Sequence, residues 1–146
     1  MSLSKDCKIT VVEAAAAAAQ TELVTDVLDM TGYEGVMFLA VTGDVSDTSV
    51  LTLTVKGNTA NSVSAPTPVT QKATDAFTAD ATSADSKVLL VDVYKPAMRY
   101  VFASLTRTTA NAVIGGIIAI QYNARSKPTT NHASVIASAF GLGVTA

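Results

Sequence analysis

Tryptophan is absent from this chain of 146 residues, and cysteine and histidine occur once each, as Cys7 and His132. A single cysteine excludes an internal disulfide and says little about compartment. One cysteine and one distant histidine do not make the ligand cluster that zinc sites draw on. Nucleophilic chemistry of the Ser–His or Cys–His type would have to run through His132, in the polar stretch TTNHAS, where an ordinary surface histidine is expected. Charge is scarce: 15% of residues against a typical ~25%, scattered to a net charge of -2. Without a basic stripe to neutralise phosphates, general nucleic-acid binding is not expected. The apolar run 113–120 is interrupted by Gly115-Gly116 and falls short of the ~20 residues that span a bilayer, so no membrane helix is expected. The apolar h-region that should follow Lys5 and Lys8 is missing, so no secretory leader is expected either.

What the chain does have is alanine and threonine, 24 and 20 residues, in a composition that is 49% hydrophobic. So few charges on so apolar a chain imply that part of the surface is covered by other subunits. Period-two alternation carries the structural signal. In SVLTLTVKG, Leu51, Leu53 and Val55 point one way and Thr52, Thr54 and Lys56 the other, giving a strand with one wet face. GYEGVMFLAVTG, residues 32–43, is apolar from 36 to 41 without alternation, fenced by glycines, and reads as a strand buried on both sides. Further strands are expected in ITVV (9–12), LVTDVLDM (23–30), VLLVDVY (88–94), RYVFASLTR (99–107) and VIGGIIAIQYN (113–123). In the last, Ile114, Gly116, Ile118, Ile120 and Tyr122 share a face, and the paired glycines suggest a bulge or a close backbone approach. The tract Ala14–Ala19 fits a helix and an extended arm equally well: alanine favours helix, but six residues cannot hold one alone.

Strands joined by turns, with no crossover helices, exclude a parallel α/β fold. The expected fold is all-β, a jelly-roll-like antiparallel β-sandwich with extended N- and C-terminal segments; a barrel is the alternative. Its organisation is an N-terminal arm over 1–22, a sandwich over 23–123 with a long loop at 57–87, and a C-terminal arm over 124–146. Phe38, Leu51, Leu53, Phe102 and Ile118 are expected in the core. Val69 and Phe77 are the expected anchors of the long loop, which carries Pro66 and Pro68 and at most short edge strands. The periodic patterns lie downstream of residue 20, so removing residues 1–20 is expected to weaken attachment more than folding.

The search for chemistry returns no catalytic, cofactor or metal site. Asp44 and Asp47, or Asp75, Asp80 and Asp85, supply oxygens of the kind calcium takes, but match no defined calcium loop. Glu34 and Asp92 are the acids nearest to structured segments, with nothing linking them as a hydrolytic pair. Tyr33, Tyr94, Tyr100 and Tyr122 are expected in packing, and Arg99 and Arg107 on a solvated face. The candidate functional residues are those of a contact surface at the two ends: Ile9, Val11, Ala14 and Ala17, with Val135, Ile136, Phe140 and Leu142.

Two stretches carry a resemblance. DMTGYEGVMFLAVTGDV (29–45) and KVLLVDVYKPAMRYVFASLTRTTANAVIGGIIAIQYNARSKP (87–128) resemble small structural proteins encoded near the major capsid gene in tailed bacteriophages. The shared pattern runs through Asp92, Tyr94 and Pro96, then Arg99 and Tyr100, the turn Thr106 to Ala112, and Tyr122 with Arg125. The resemblance implies a virion component, a head decoration or cement protein on the outer capsid surface, with the major capsid protein as partner and a trimeric or dimeric state. It implies no enzymatic activity and no cofactor. Two rivals stay open: a head-tail connector, tail or fibre-associated virion protein, and a carbohydrate-binding β-sandwich module.

Overall fold

Alternating and β-branched stretches take extended backbone throughout, and the computed structural model describes residues 2–145. After a single helical turn, α1 (Leu3–Asp6), the strands are β1 (Lys8–Glu13), β2 (Ala16–Ala19), β3 (Leu23–Val24), β4 (Leu28–Asp29), β5 (Gly35–Val45), β6 (Val50–Asn58), β7 (Val69–Ala73), β8 (Phe77–Thr78), β9 (Val88–Tyr94), β10 (Tyr100–Thr108) and β11 (Ala112–Tyr122). They form two antiparallel sheets packed face to face. One has the order β1-β11-β5-β9, with β2 also on β11; the other has the order β3-β10-β6-β7, with β4 on β10 and β8 on β6. The inner faces meet in one core. Val12, Val36, Phe38, Ala40, Val91, Ile114, Ile117 and Ala119 come from the first sheet, and Leu53, Val55, Val101, Ala103 and Leu105 from the second. A smaller cluster of Val45, Leu51, Ala79, Ala84 and Ala112 closes one end.

Residues 8–13 and 16–19, assigned to the N-terminal arm, are sheet. β1 pairs with Ile117–Gln121 and β2 with the start of β11, so the alanine tract is extended. Thr10 and Val12 turn inward and are buried. The strand expected over 9–12 is present, one residue longer at each end, and β11 supplies the partner that a short strand needs.

Gly115 and Gly116 form the expected bulge. Pairing with β5 shifts between Ile114 and Gly116, and Gly116 sits at φ +142, where a side chain would be strained. One extra residue reverses the inside–outside parity of the rest of the strand. Ile117, Ala119 and Gln121 therefore face the core, and Ile118, expected there, lies half-buried on the outer face. Phe102 is buried but stands outside the inter-sheet cluster, because its neighbours Val101 and Ala103 take the inward positions of β10.

The long loop is held by groups other than those expected. Val69 and Phe77 are exposed. The buried Asn58 amide donates to the carbonyls of Ser62 (2.9 Å) and Pro66 (2.8 Å) and folds the loop's first half. Its second half docks on the β5–β6 turn through Ala79 N–H to Ser49 O (2.8 Å), Ala81 N–H to Asp47 Oδ1 (3.2 Å) and Val45 N–H to Asp85 Oδ1 (2.8 Å).

Arg107 is buried, 2% exposed, and not on a solvated face. Its Nε donates to Thr21 O (2.9 Å), Nη1 to Ala17 O (2.9 Å) and Ala112 O (2.8 Å), and Nη2 to Thr21 Oγ1 (2.8 Å). Four bonds from a fork on β10 thus reach β2, β11 and the segment before β3, tying the two sheets. The geometry uses the planar fork, which a lysine lacks.

Two outcomes follow. Arg107→Met leaves the buried Ala112 carbonyl and the part-buried Ala17 and Thr21 carbonyls without their charged donor and is expected to cost about 2–3 kcal/mol, read as a lowered urea midpoint; Arg107→Lys recovers only part. Deleting residues 1–20 bares the β11 edge and removes Val12 from the core, so the transition is expected to move to clearly lower urea. An unchanged midpoint would return residues 1–20 to the status of a free arm.

Candidate interaction surface

The strand 36–41 is apolar on both sides, and the structure shows where each side goes. Val36, Phe38 and Ala40 enter the core, and Met37, Leu39 and Val41 face outward. The register places outward residues of four strands in rows. Val11, Ile118, Leu39 and Leu90 lie side by side in one row, and Ile9, Ile120, Met37 and Asp92 in the next. Val41 pairs with Val88 at one end. Four strands at ~4.8 Å spacing and five residues at ~3.3 Å give a flat apolar area of roughly 300–400 Å², the size at which an exposed patch is often functional.

The second sheet shows what an ordinary outer face looks like here. Thr52, Thr54 and Lys56 of β6 stand opposite Thr106, Ser104 and Phe102 of β10; Ser104 and Phe102 are buried, and the part of that face left half-open is hydroxyl and ammonium. An antiparallel sheet with one solvated face should alternate in this way. The first sheet does not.

One end of the apolar face opens into a cleft of about 430 Å³ lined by Leu3, Met37, Ile120, Tyr122, Asp92 and Lys127, among others. The Tyr122 ring lies over Gly35, where a Cβ would collide with it, and its hydroxyl donates to Asp92 Oδ1 at 2.6 Å. Burial first, and then the Asp92 carboxylate, push the Tyr122 phenol well above its ordinary range. A second, polar concavity lies at the same end of the sandwich, between residues 30–34, 95–99 and Arg125. There Arg99 is bidentate to Asp29, at 3.0 and 2.9 Å.

The sequence-predicted contact residues fall in three places. Ile9 and Val11 stand on the apolar face. Ala14 and Ala17 do not join it: Ala14 is exposed in the link between β1 and β2, and Ala17 uses its carbonyl to bind Arg107. Val135 is half-buried, whereas Ile136 (97% exposed) and Leu142 (87%) stand in water, and Phe140 (54%) is exposed except where the Lys5 ammonium lies 4.2 Å over its ring. Ahead of them, residues 129–134 run along β1. Thr129 N–H donates to Lys5 O (2.8 Å), Ile9 N–H to Asn131 Oδ1 (2.9 Å), His132 N–H to Ile9 O (3.3 Å) and Val11 N–H to Ser134 Oγ (2.9 Å). This strap covers the free edge of β1. Sequence reasoning missed Met37, Leu39, Val41, Val88, Leu90 and Ile120 as surface residues. Their signal was the unbroken apolar run itself, which marks a strand apolar on both faces without saying what covers the second.

The residues weighed for chemistry have other tasks. His132 Nδ1 lies 3.0 Å from Ser134 Oγ in an exposed turn, and that hydroxyl already accepts from Val11 N–H. Asp47 and Asp85 accept backbone N–H groups of the loop and turn. Glu34 accepts from Tyr94 OH at 2.9 Å and from the Asn123 amide. Arg99, exposed as expected, pairs with Asp29. Among the described residues no three His, Cys, Asp or Glu side chains gather as metal ligands. The buried Cys7 thiol is pushed up, by burial and then by Asp6. No protein-family model matches the chain, and no curated protein matches it.

The Arg99 guanidinium, with Thr31, holds the Asp29 carboxyl well below the usual carboxylate range. A carboxyl lowered on folding contributes stability that is complete above its unfolded value of about 3.9 and is lost as pH falls through the folded value. The Asp29 carboxyl carbon is accordingly expected to titrate by NMR well below the usual carboxylate range. Asp29→Asn should remove the pair's contribution at neutral pH and leave stability nearly unchanged at strongly acid pH.

Proposed function

We propose that this chain is a virion structural protein without enzymatic activity, a capsid decoration or cement protein on the outer surface of a head, and that its partner is the major capsid protein. The observation that carries the reading is the uncovered apolar face of β1, β11, β5 and β9, on a molecule whose other outer face is polar. The resemblance to phage structural proteins covers three of these four strands, since residues 29–45 hold β5 and 87–128 hold β9 and β11, together with β10 of the other sheet. The jelly-roll reading of the sandwich has support in the strand order. Taking β1 with β2, β3 with β4 and β7 with β8 as single positions, the sheets read 1-8-3-6 and 2-7-4-5, the arrangement of two interlocked Greek keys. Capsid and lectin domains use that architecture, and so it narrows function without deciding it.

Magnitudes explain why many copies would be needed. Burying roughly 300–400 Å² of apolar surface at ~25 cal/mol per Å² yields about 8–10 kcal/mol. Association alone costs an estimated ~4–15 kcal/mol, so one such contact is weak. Repeated contacts on a shell, made by a trimer or dimer, hold by effective concentration. The sandwich supplies a rigid block and its face the adhesive surface. A head-tail connector or tail protein would use the same face in a ring or tube. The carbohydrate-binding alternative has one observation of its own: Tyr94 and Tyr122 flank Gly35 across the sheet.

The deciding experiment is imaging of purified particles with and without this chain, where density lost from the outer shell is expected. Leu39→Lys, at the centre of the face, should leave the urea midpoint nearly unchanged and abolish attachment to particles. Full attachment by that variant would overturn the reading, and density confined to a neck or tail would favour the connector.

A further inference from the structure

We infer that the C-terminal segment 139–145 of one copy adds as a strand to the free edge of β9 in a second copy. Each sheet has two edges, and three of the four are managed. The β1 edge is strapped by residues 129–134. The edges at β3 with β4 and at β7 with β8 are short pieces, which limits pairing. β9 is different: seven residues, VLLVDVY, pair with β5 on one side only. Lys87 and Lys95 bond to β5, through Lys87 O and Lys95 N–H, and the alternation of an antiparallel pair then assigns residues 89, 91 and 93 to the same side. The N–H and C=O groups of Val88, Leu90, Asp92 and Tyr94 point away from β5. Among the described residues these groups have no hydrogen-bond partner. The edge carries no proline or lysine and one charge, Asp92, so nothing in it discourages a new strand.

Beside this edge is a cleft of about 430 Å³ lined by Phe77, Leu51, Ala84, Val88, Leu89 and Leu90, among others. The occupant that fits is an extended segment with apolar side chains at alternate positions, bound by backbone pairing and side-chain pockets. The chain holds one. In AFGLGVT, residues 139–145, Phe140, Leu142 and Val144 alternate with Gly141 and Gly143. One face of that strand is apolar and the other bears two glycines, and its length equals that of β9. Phe140, Leu142 and Val144 are 54%, 87% and 93% exposed, and Phe77, Val88 and Leu90 are 46%, 54% and 49% exposed. Segment and groove are bare in the same molecule, so the segment does not fill its own chain's groove. Exchange between copies fills both. Residues 135–138 provide the link from the strap, which anchors the segment on the opposite edge of the same sheet. Such an exchange is head-to-tail: it closes a ring if the rotation allows and otherwise propagates.

The inference needs no shell and is tested on the isolated full chain. Light scattering across a concentration series is expected to show association. NMR-detected hydrogen exchange should show the amides of Val88, Leu90, Asp92 and Tyr94 slowed at least roughly tenfold at high concentration. A double variant, Phe140→Asp with Leu142→Asp, changes only exposed side chains; it should keep the urea midpoint, stay monomeric and lose that protection. A synthetic peptide of residues 135–146 should restore protection to a chain ending at 134. A monomeric full chain, association that survives the double variant, or the same amides protected in dilute monomer would each overturn the inference. Failure here leaves attachment through the Leu39 face untouched, and failure of Leu39→Lys to detach leaves this exchange untouched.

Discussion

The bulge at Gly115-Gly116 is the constraint on which the arrangement of this molecule depends. β11 lies second in its sheet, bonded to β1 and β2 on one side and β5 on the other, and its residues are apolar in both directions. Without an extra residue, Ile118 and Ile120 would face inward with Ile114. With it, Ile117 and Ala119 fill the core and Ile118 and Ile120 join Leu39 and Met37 outside. Only glycine accepts the φ of +142 at Gly116, with the Glu13 carbonyl close by. A shift at Gly43–Asp44 of β5 restores the register, so Val45 again meets Ala112 at the buried end.

Holding two such sheets together takes more than the apolar core. Arg107 crosses from β10 to carbonyls on or beside β2, β3 and β11, and four of its five N–H groups donate to neutral acceptors. A buried charge is tolerated only where its donors are met, and here the fork meets three carbonyls and a hydroxyl. It also gives the alanine tract a purpose. Small residues let β2 lie close to β11 while the Ala17 carbonyl turns to the guanidinium. The polar loops follow the same economy: Asp47, Asp85 and Asn58 spend their side chains on backbone groups of neighbouring turns. Aspartates that resemble ion ligands in a sequence thus act as staples.

Two kinds of incompleteness remain, and they differ in character. The outer face of β1, β11, β5 and β9 is a broad apolar surface with no directional bonding left in it. The β9 edge is narrow and directional, with unpaired backbone groups in register. The first suits a large, flat partner and the second suits a strand. A molecule with both has a way to lie on a surface and a way to link to its neighbours.

Much of the fold was legible from alternation. Leu51, Leu53 and Val55 against Thr52, Thr54 and Lys56 told their faces directly, because one side of β6 meets the core and the other meets water. The all-β class followed from the lack of crossover helices, and the continuous run 36–41 announced a strand apolar on both sides. Parity past the two glycines was not legible, since a bulge changes which residues share a face and sequence does not count it. Nor was Arg107, whose acceptors are backbone carbonyls and leave no mark in the side-chain pattern. The alanine tract, which fitted a helix and an extended arm equally, becomes β2 only beside β11. By itself, then, the sequence determined which segments extend and which side chains seek an apolar neighbour, because those are local properties of the chain. The tertiary structure alone decided which apolar residues found that neighbour inside and which were left on the outer face, because that depends on register, bulges and edges set by segments far apart in the chain.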